Sequence, residues 1–544
     1  MEEIKYKQIK MKKLTNRNAG IALLLLLLVA FYIHTLFKPV KSDINYQKIR
    51  KQAVRESLIP IRPGIPNQQP FWNNYSVRFI HAPSFNFKPV NDAKKYKFTL
   101  SSSDNMKYCF IADNPWADLS PVWEKIPVGN LSLEVYGIDK NGALLDMAGS
   151  KSFYKASAFN GPYNKKVMDY KESVKRAMKY IYKLDHIQNW KTFGSPDSTY
   201  DLYCYPSKII GAVIGNMLVY RKLFPTEEEN ALAIARKAGE YLISISEPHG
   251  FPLEYFPPTY RGEARTAKEY KGQFMMIYPA EVAINYLDLF DITHDSVFFR
   301  AAIKIASTYI KLQLPSGTWK LKLWENGESV NDNDCIPLPM IALFDRLHSQ
   351  YKLDEYQASR DRAFNWVMDN PVKTYDWSGQ YEDVALFEPY RNLTKAEACT
   401  FAIYLFNRTK ENPSYRTIAE ELLRFSEDQF VIWERPMPRT DSDVHKWFIP
   451  CALEQYNFYV PIDGSASKLI ATYLKAAEVT GEKIYLAKAI ELANTMTVAQ
   501  LPDTGKYPTY WEEEEAKVSP GWINCALADA IAMLDLWNFL NKTK

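Results

Sequence analysis

Ile209–Val219 reads IIGAVIGNMLV, and Asn230–Ser246, a short connection later, reads NALAIARKAGEYLISIS. The first stretch is apolar on nearly every side, so a helix made from it must be enclosed by other elements. The second keeps its apolar residues to one face, as a helix does when its other face meets water. Phe224–Thr226 joins them as a tight connection. Together they predict a helical hairpin with one buried and one outward member.

The same alternation runs from about Tyr170 to Leu540. Short connections fall near Phe224–Thr226, Asp291–His294, Tyr351–Leu353, Asn407–Pro413 and Thr480–Glu482. Long ones fall near Lys191–Tyr205, Glu247–Ile277, Leu314–Asp334, Pro371–Leu393, Val431–Asp463 and Leu501–Gly521. Twelve helical segments with six long and five short connections make six hairpins, a repeat of roughly 55–70 residues. Amphipathic members such as the one carrying Val174, Ala177, Met178 and Ile181 precede long connections, and enclosed members follow them. The last helix, Trp522–Leu540, is apolar almost all round, which argues against an open protein-binding solenoid with a polar end cap. An inner ring of helices wrapped by an outer ring, an (α/α)6 toroid or barrel over residues 165–544, is the expected architecture.

Upstream the texture changes. Leu131, Leu133, Val135 and Gly137 alternate with Ser132, Glu134 and Tyr136, and Asp139-Lys140-Asn141-Gly142 supplies a hairpin turn. Residues 71–160 are expected to form a small β-sandwich, similar to fibronectin-type or immunoglobulin-like modules, that binds ligand or braces the helical domain. Residues 38–70, with Pro60, Pro63, Pro66 and Pro70, read as an extended linker. Ala19–Phe37 carries no charge and is long enough to span a bilayer. The basic residues of 1–18 precede it, so the expectation is a transmembrane signal-anchor with a cytoplasmic tail and exported C-terminal domains. A cleaved signal peptide is the rival reading, and Phe31–Phe37 offers no small-x-small cleavage site.

The net charge of +4 is accounted for by that basic tail, so nucleic acid is excluded as a partner. The six cysteines lie more than forty residues apart without a CxxC, which excludes a structural zinc site. No histidine pair has metal-ligand spacing, and no cofactor is expected; a bound Ca2+ would leave no local signature among scattered Asp and Asn.

The pattern of hairpins resembles the six-hairpin glycosidase-like superfamily over about Tyr170–Leu540. The order of anchor, β-module and helical barrel is similar to that of heparosan glucuronate C5-epimerases, whose catalytic tyrosines have no matching positions here. The resemblance implies glycoside hydrolases, unsaturated-uronide hydrolases, sugar epimerases or polysaccharide lyases as relatives.

In a barrel of this kind the long connections share one face and form the mouth of a pocket. They carry six of the 13 tryptophans, including Trp319, Trp433 and Trp511, and each places carboxylates beside aromatic rings. Flat rings bind the apolar faces of sugars, and acids or arginines satisfy the hydroxyls. Tyr255, Tyr260, Arg261, Trp319, Tyr381, Trp433, Arg435, Tyr507, Tyr510 and Trp511 are therefore candidate substrate-binding residues. Cleaving a glycosidic bond takes two carboxyl groups. Glu382 or Asp383 with Glu434 is the first choice of pair, followed by Glu254 and Glu263; Glu382 and Asp383, being adjacent, should point apart. Arg261, Arg265, Arg391, Arg435 and Arg439 add a cationic side suited to acidic sugars. The leading expectation is a membrane-tethered, exported glycoside hydrolase acting on an oligo- or polysaccharide. Uronate epimerisation or lysis in the same pocket, with tyrosine as proton carrier, is the enzymatic alternative, and a glycan-binding protein the non-enzymatic one.

Overall fold

The computed structural model describes residues 44–62, 72–384, 388–435, 446–518 and 521–542. The expected basic tail and membrane segment, residues 1–37, lie outside them, as do residues 38–43 and 63–70 of the linker and Arg439. Among the described residues one helix, Ile523–Lys542, is long and apolar enough to cross a membrane, but its first turns line the central cavity of the barrel.

Six inner helices follow the long connections: Pro206–Leu223, Tyr278–Thr293, Leu338–Tyr351, Ala396–Asn407, Asp463–Thr480 and Ile523–Lys542. Six outer ones precede them: Tyr170–Lys183, Glu228–Ser244, Ser296–Leu312, Gln357–Asp369, Ser414–Phe430 and Lys483–Ala499. Proline in the first turn starts three of the inner helices, at Pro206, Pro279 and Pro339, where a missing N–H costs nothing. The ring is closed. Asn216 Nδ2 on the first inner helix donates to Ile523 O at 2.8 Å, and Ser467 Oγ on the fifth donates to Asp529 Oδ1 on the sixth at 2.7 Å. Gly215 permits the close seam between first and last, since a Cβ there would stand 2.4 Å from Leu527 Cδ2. The outer ring closes as well: Tyr170 Oη donates to Asn494 Oδ1 at 2.7 Å, and Ser173 Oγ to Gln500 Oε1 at 2.8 Å.

Between Lys95 and Lys155 the chain forms most of one five-stranded sheet. Its strands are β1 (Arg78–Phe79), β2 (Lys95–Ser102), β3 (Lys107–Ala112), β4 (Gly129–Ile138) and β5 (Leu144–Lys155), in the order β1-β5-β4-β2-β3. The expected two-sheet sandwich is thus corrected to a single sheet. Its apolar face, with Phe98, Leu100, Leu131, Leu133 and Val135, is covered by an irregular segment carrying Phe85 and by the short helix Ser120–Trp123 with Leu119 at its N-cap, instead of by a second sheet. The outer face keeps the polar half of the alternation. The module leans on the outer helix Ser414–Phe430: Ile80 and His81 N–H both donate to Asp428 Oδ1, at 2.6 and 2.7 Å.

The linker is also more structured than its prolines imply. Tyr46–Ser57 is a helix capped by Asn45, with Ile49 and Ala53 buried at helical spacing. It docks on Lys483–Ala499 through Tyr46 Oη, which donates to Glu491 Oε1 at 2.5 Å, and through Lys488, whose Nζ lies 3.4 Å from Glu56 Oε2 and 2.7 Å from Glu427 Oε2.

Candidate active site at the mouth of the barrel

The long connections are knitted into a rim. β6 (Gln273–Met275) pairs with β7 (Lys322–Trp324), and β8 (Val431–Ile432), β9 (Cys451–Gln455) and β10 (Phe458–Pro461) form a three-stranded sheet. Bridges Thr394 to Gln455 and Ile462 to Tyr510 tie the later connections together. Inside this rim the first turns of all six inner helices enclose a cavity of about 900 Å3.

Four of the inner helices bring charged side chains to an otherwise largely apolar ring. Lys208 comes from the first, Glu281 from the second, Glu397 from the fourth and Lys468 from the fifth, with Lys395 immediately ahead of the fourth. From the rim come Arg265, Tyr381, Asp383, Glu454 and Tyr510, and Trp522 sits just before the last helix. Gly211 matters for the floor, because a Cβ there would stand 2.8 Å from Asn285 Nδ2.

Lys208 Nζ lies 2.6 Å from Glu382 Oε1 and also stands 4.7 Å from the Trp522 ring. Tyr278 Oη donates to Glu382 Oε2, and Tyr260 Oη to the Glu382 carbonyl at 2.9 Å. Burial works against the Lys208 ammonium, but the charges of Glu382 and Asp383 outweigh it and raise its pKa. Asp383, one residue on, faces the cavity, where Arg265 Nη2 meets it at 3.3 Å. Burial, then the charge of Glu382, lift the Asp383 carboxyl above its ordinary value, with Lys208 and Arg265 opposing.

Glu281 stands inside the ring of helices, and its side chain is exposed to the cavity. It makes no hydrogen bond or ion pair among the described residues. Burial pushes its carboxyl up to about 7, against the pull of Lys208 and Lys468. Glu397 is likewise pushed up to about 7 by burial, but its Oε2 is sealed from solvent without a partner. Glu454 is raised and Lys395 lowered, both chiefly by burial. The tyrosines Tyr278, Tyr381 and Tyr510 are all raised, first by burial and then by neighbouring carboxylates.

The residues singled out in the sequence divide sharply. Asp383, Tyr381 and Tyr510 line the cavity. Glu382 stands directly behind it, fully buried. Glu382 and Asp383 lie in a turn rather than the extended loop expected; Glu382 is paired with Lys208 and Asp383 with Arg265. Glu434 accepts from Ser157 Oγ at 2.9 Å and Asn160 Nδ2 at 3.1 Å, clamping the segment after the β-module to the barrel. Glu254 is a loop brace: Lys311, the Gly250 N–H and His249 hold its carboxyl down to about 2. Glu263 is exposed outside the cavity. Tyr255 packs on His249, Arg261 donates to Tyr241 Oη, and Arg435 Nη2 donates to Trp447 O. Trp319, Trp433, Tyr507 and Trp511 are buried, because the long connections are large enough to need cores of their own. Tyr260 is buried against Glu382. Sequence reasoning passed over Lys208, Tyr278, Glu281, Lys395, Glu397, Glu454 and Lys468. For Lys208, Tyr278, Glu281, Glu397 and Lys468 the signal was a charged or phenolic residue in the first turns of helices otherwise largely apolar; Glu454, in β9, and Lys395, just ahead of its helix, carried none.

No protein-family profile and no curated protein matches this chain. Solved structures similar to it are six-hairpin glycosidase-like folds. A family 76 glycoside hydrolase from a bovine Bacteroides thetaiotaomicron strain has a TM-score of 0.46 at 11% identity, covering 85% of this chain and 98% of that chain. Cellobiose 2-epimerase from Spirochaeta thermophila has a TM-score of 0.46 at 11% identity, over 68% of this chain and 98% of that one. An unsaturated glucuronyl hydrolase specific for heparin has a TM-score of 0.44 at 11% identity, over 69% and 98% respectively.

Proposed function

We propose that this chain is a carbohydrate-active enzyme that hydrolyses glycosidic bonds in the barrel cavity. Glu281 is the proton donor and Asp383 the second carboxyl group. The observation that carries the reading is the placement of Glu281: an unpaired acid on the cavity wall, enclosed by the barrel so that its pKa is pushed up to about 7. Such a group can protonate a leaving glycosidic oxygen, while a carboxylate across the sugar activates water or attacks the anomeric carbon. Trp522, Tyr381 and Tyr510 put aromatic rings in the cavity wall, suited to the apolar faces of a sugar. Raised tyrosine pKa values weigh against a tyrosine base, and so against lysis or epimerisation by that route.

The basic residues ahead of Ala19–Phe37 support export of the barrel on a retained anchor, a reading that membrane fractionation and protease protection test. A polysaccharide panel tests the chemistry. Hydrolysis yields new reducing ends, a lyase yields products that absorb in the ultraviolet, and an epimerase leaves chain length unchanged.

A further inference from the structure

One cluster in the cavity is not used by glycoside hydrolysis. Lys395 Nζ is hydrogen-bonded to Ser465 Oγ and donates to Glu454 O at 2.7 Å. Both side chains are buried in the protein and both line the cavity. Ser465 stands in the first turn of the inner helix Asp463–Thr480. In that turn the Asp463 N–H goes to Thr509 O and the Gly464 N–H to Asp463 Oδ1, but the Ser465 N–H has no acceptor among the described residues. A free N–H at a helix N-terminus favours negative charge beside it. Lys468 lines the same cavity and donates to Thr400 Oγ1 at 3.0 Å.

We propose that Ser465 is a nucleophile and Lys395 its general base, giving the cavity a second activity: removal of acyl groups esterified to sugar hydroxyls. Ser465 Oγ attacks the ester carbonyl carbon as Lys395 Nζ takes the hydroxyl proton. The negative oxygen of the tetrahedral intermediate faces the Ser465 N–H. The bond from carbon to the sugar oxygen then breaks, and the Lys395 ammonium returns its proton to that oxygen. Water hydrolyses the acyl-serine by the same route, releasing the carboxylic acid and restoring Ser465. Burial supports the base by lowering the Lys395 pKa, with Glu454 opposing. A neutral amine has one lone pair for the Ser465 hydroxyl while still donating to Glu454 O.

The experiment uses the full chain and p-nitrophenyl acetate. Turnover should release p-nitrophenol at a rate that rises with pH as Lys395 loses its proton. Acid-quenched samples should carry one acetyl group on the peptide holding Ser465. Ser465→Ala and Lys395→Met should each lower the rate by roughly 10²-fold or more. Should Lys395→Met fail to fold, the acetylation site of the unmodified chain still decides. Acetyl found only on other residues, or a wild-type rate from Ser465→Ala, overturns the proposal. Cleavage of an unacylated oligosaccharide is scored separately, so loss of one activity does not stand for loss of the other.

Discussion

Lys208 Nζ stands 2.6 Å from Glu382 Oε1, joining the first turn of one inner helix to the tip of the fourth long connection. The carboxylate is fully buried and Lys208 partly exposed to the cavity, with Tyr278 and Tyr260 completing the carboxylate's surroundings. This pair holds the loop so that its next residue, Asp383, meets the cavity. Removing one charge from such a pair leaves the other buried without compensation. Lys208→Met should lower unfolding free energy by ~3–5 kcal/mol in urea titration, and adding Glu382→Leu should recover part of that loss. A single variant within about 1 kcal/mol of the wild type would show that the pair does not position the loop.

The pH dependence of activity follows from Glu281. Its folded-state pKa of about 7 lies above the ordinary 4.5, so the neutral form is favoured in the folded chain. The stability this contributes is full below the unfolded value and is lost as pH rises through about 7. The proton donor is lost over the same range. The kcat/KM profile should therefore fall on its alkaline side with an apparent pKa near 7. A profile flat from roughly pH 6 to pH 9 would remove Glu281 from the donor role.

Glu254 has the opposite sign. Lys311, the Gly250 N–H and His249 depress its pKa to about 2. Its contribution is present above the unfolded value and lost as pH falls toward the folded one. Hydrogen exchange of the Tyr255 N–H, which donates to Glu247 O at 2.7 Å, should quicken over that acid range. Glu254→Gln should abolish that acid dependence. Unchanged exchange across the range would mean that the loop is held by other contacts.

Asp428 joins the β-module to the barrel by accepting the Ile80 and His81 N–H groups at 2.6 and 2.7 Å. Asp428→Ala strands two buried donors, and the expected cost is ~2–5 kcal/mol in denaturant titration. A loss below about 0.5 kcal/mol would mean that the module is not braced there.

The barrel was legible because its two rings write different patterns. Ile209–Val219 is apolar all round and Asn230–Ser246 is one-sided, and connection length alternates with them. β4 was equally plain, since Leu131, Leu133 and Val135 are buried on one face. Its cover was not, because Phe85 lies in an irregular segment and Leu119 and Trp123 in a single helical turn, Ser120–Trp123, too short to show a period. The helix Tyr46–Ser57 was masked by the prolines that follow it, although Asn45, Ile49 and Ala53 carry its cap and its buried face.

The site was legible at its rim and hidden at its floor. Asp383, Tyr381 and Tyr510 stood out as polar and aromatic residues of long connections. Trp319, Trp433 and Trp511 did too, but a connection of that length folds on its own rings, and theirs are buried. Glu281 lies in Tyr278–Thr293, whose general apolarity draws the eye to packing. An isolated acid one turn into such a helix faces either a partner or a cavity, and here it faces the cavity.

The central claim is that Glu281 donates the proton in glycoside cleavage. The most direct measurement is the rate at which new reducing ends form when the wild type and Glu281→Gln act on a cleaved member of a polysaccharide panel. The account predicts cleavage by the wild type and a loss of roughly 10²–10⁴-fold in kcat for the folded variant, with the alkaline limb gone. Equal rates for the two proteins, or no polysaccharide cleaved by either, would contradict it.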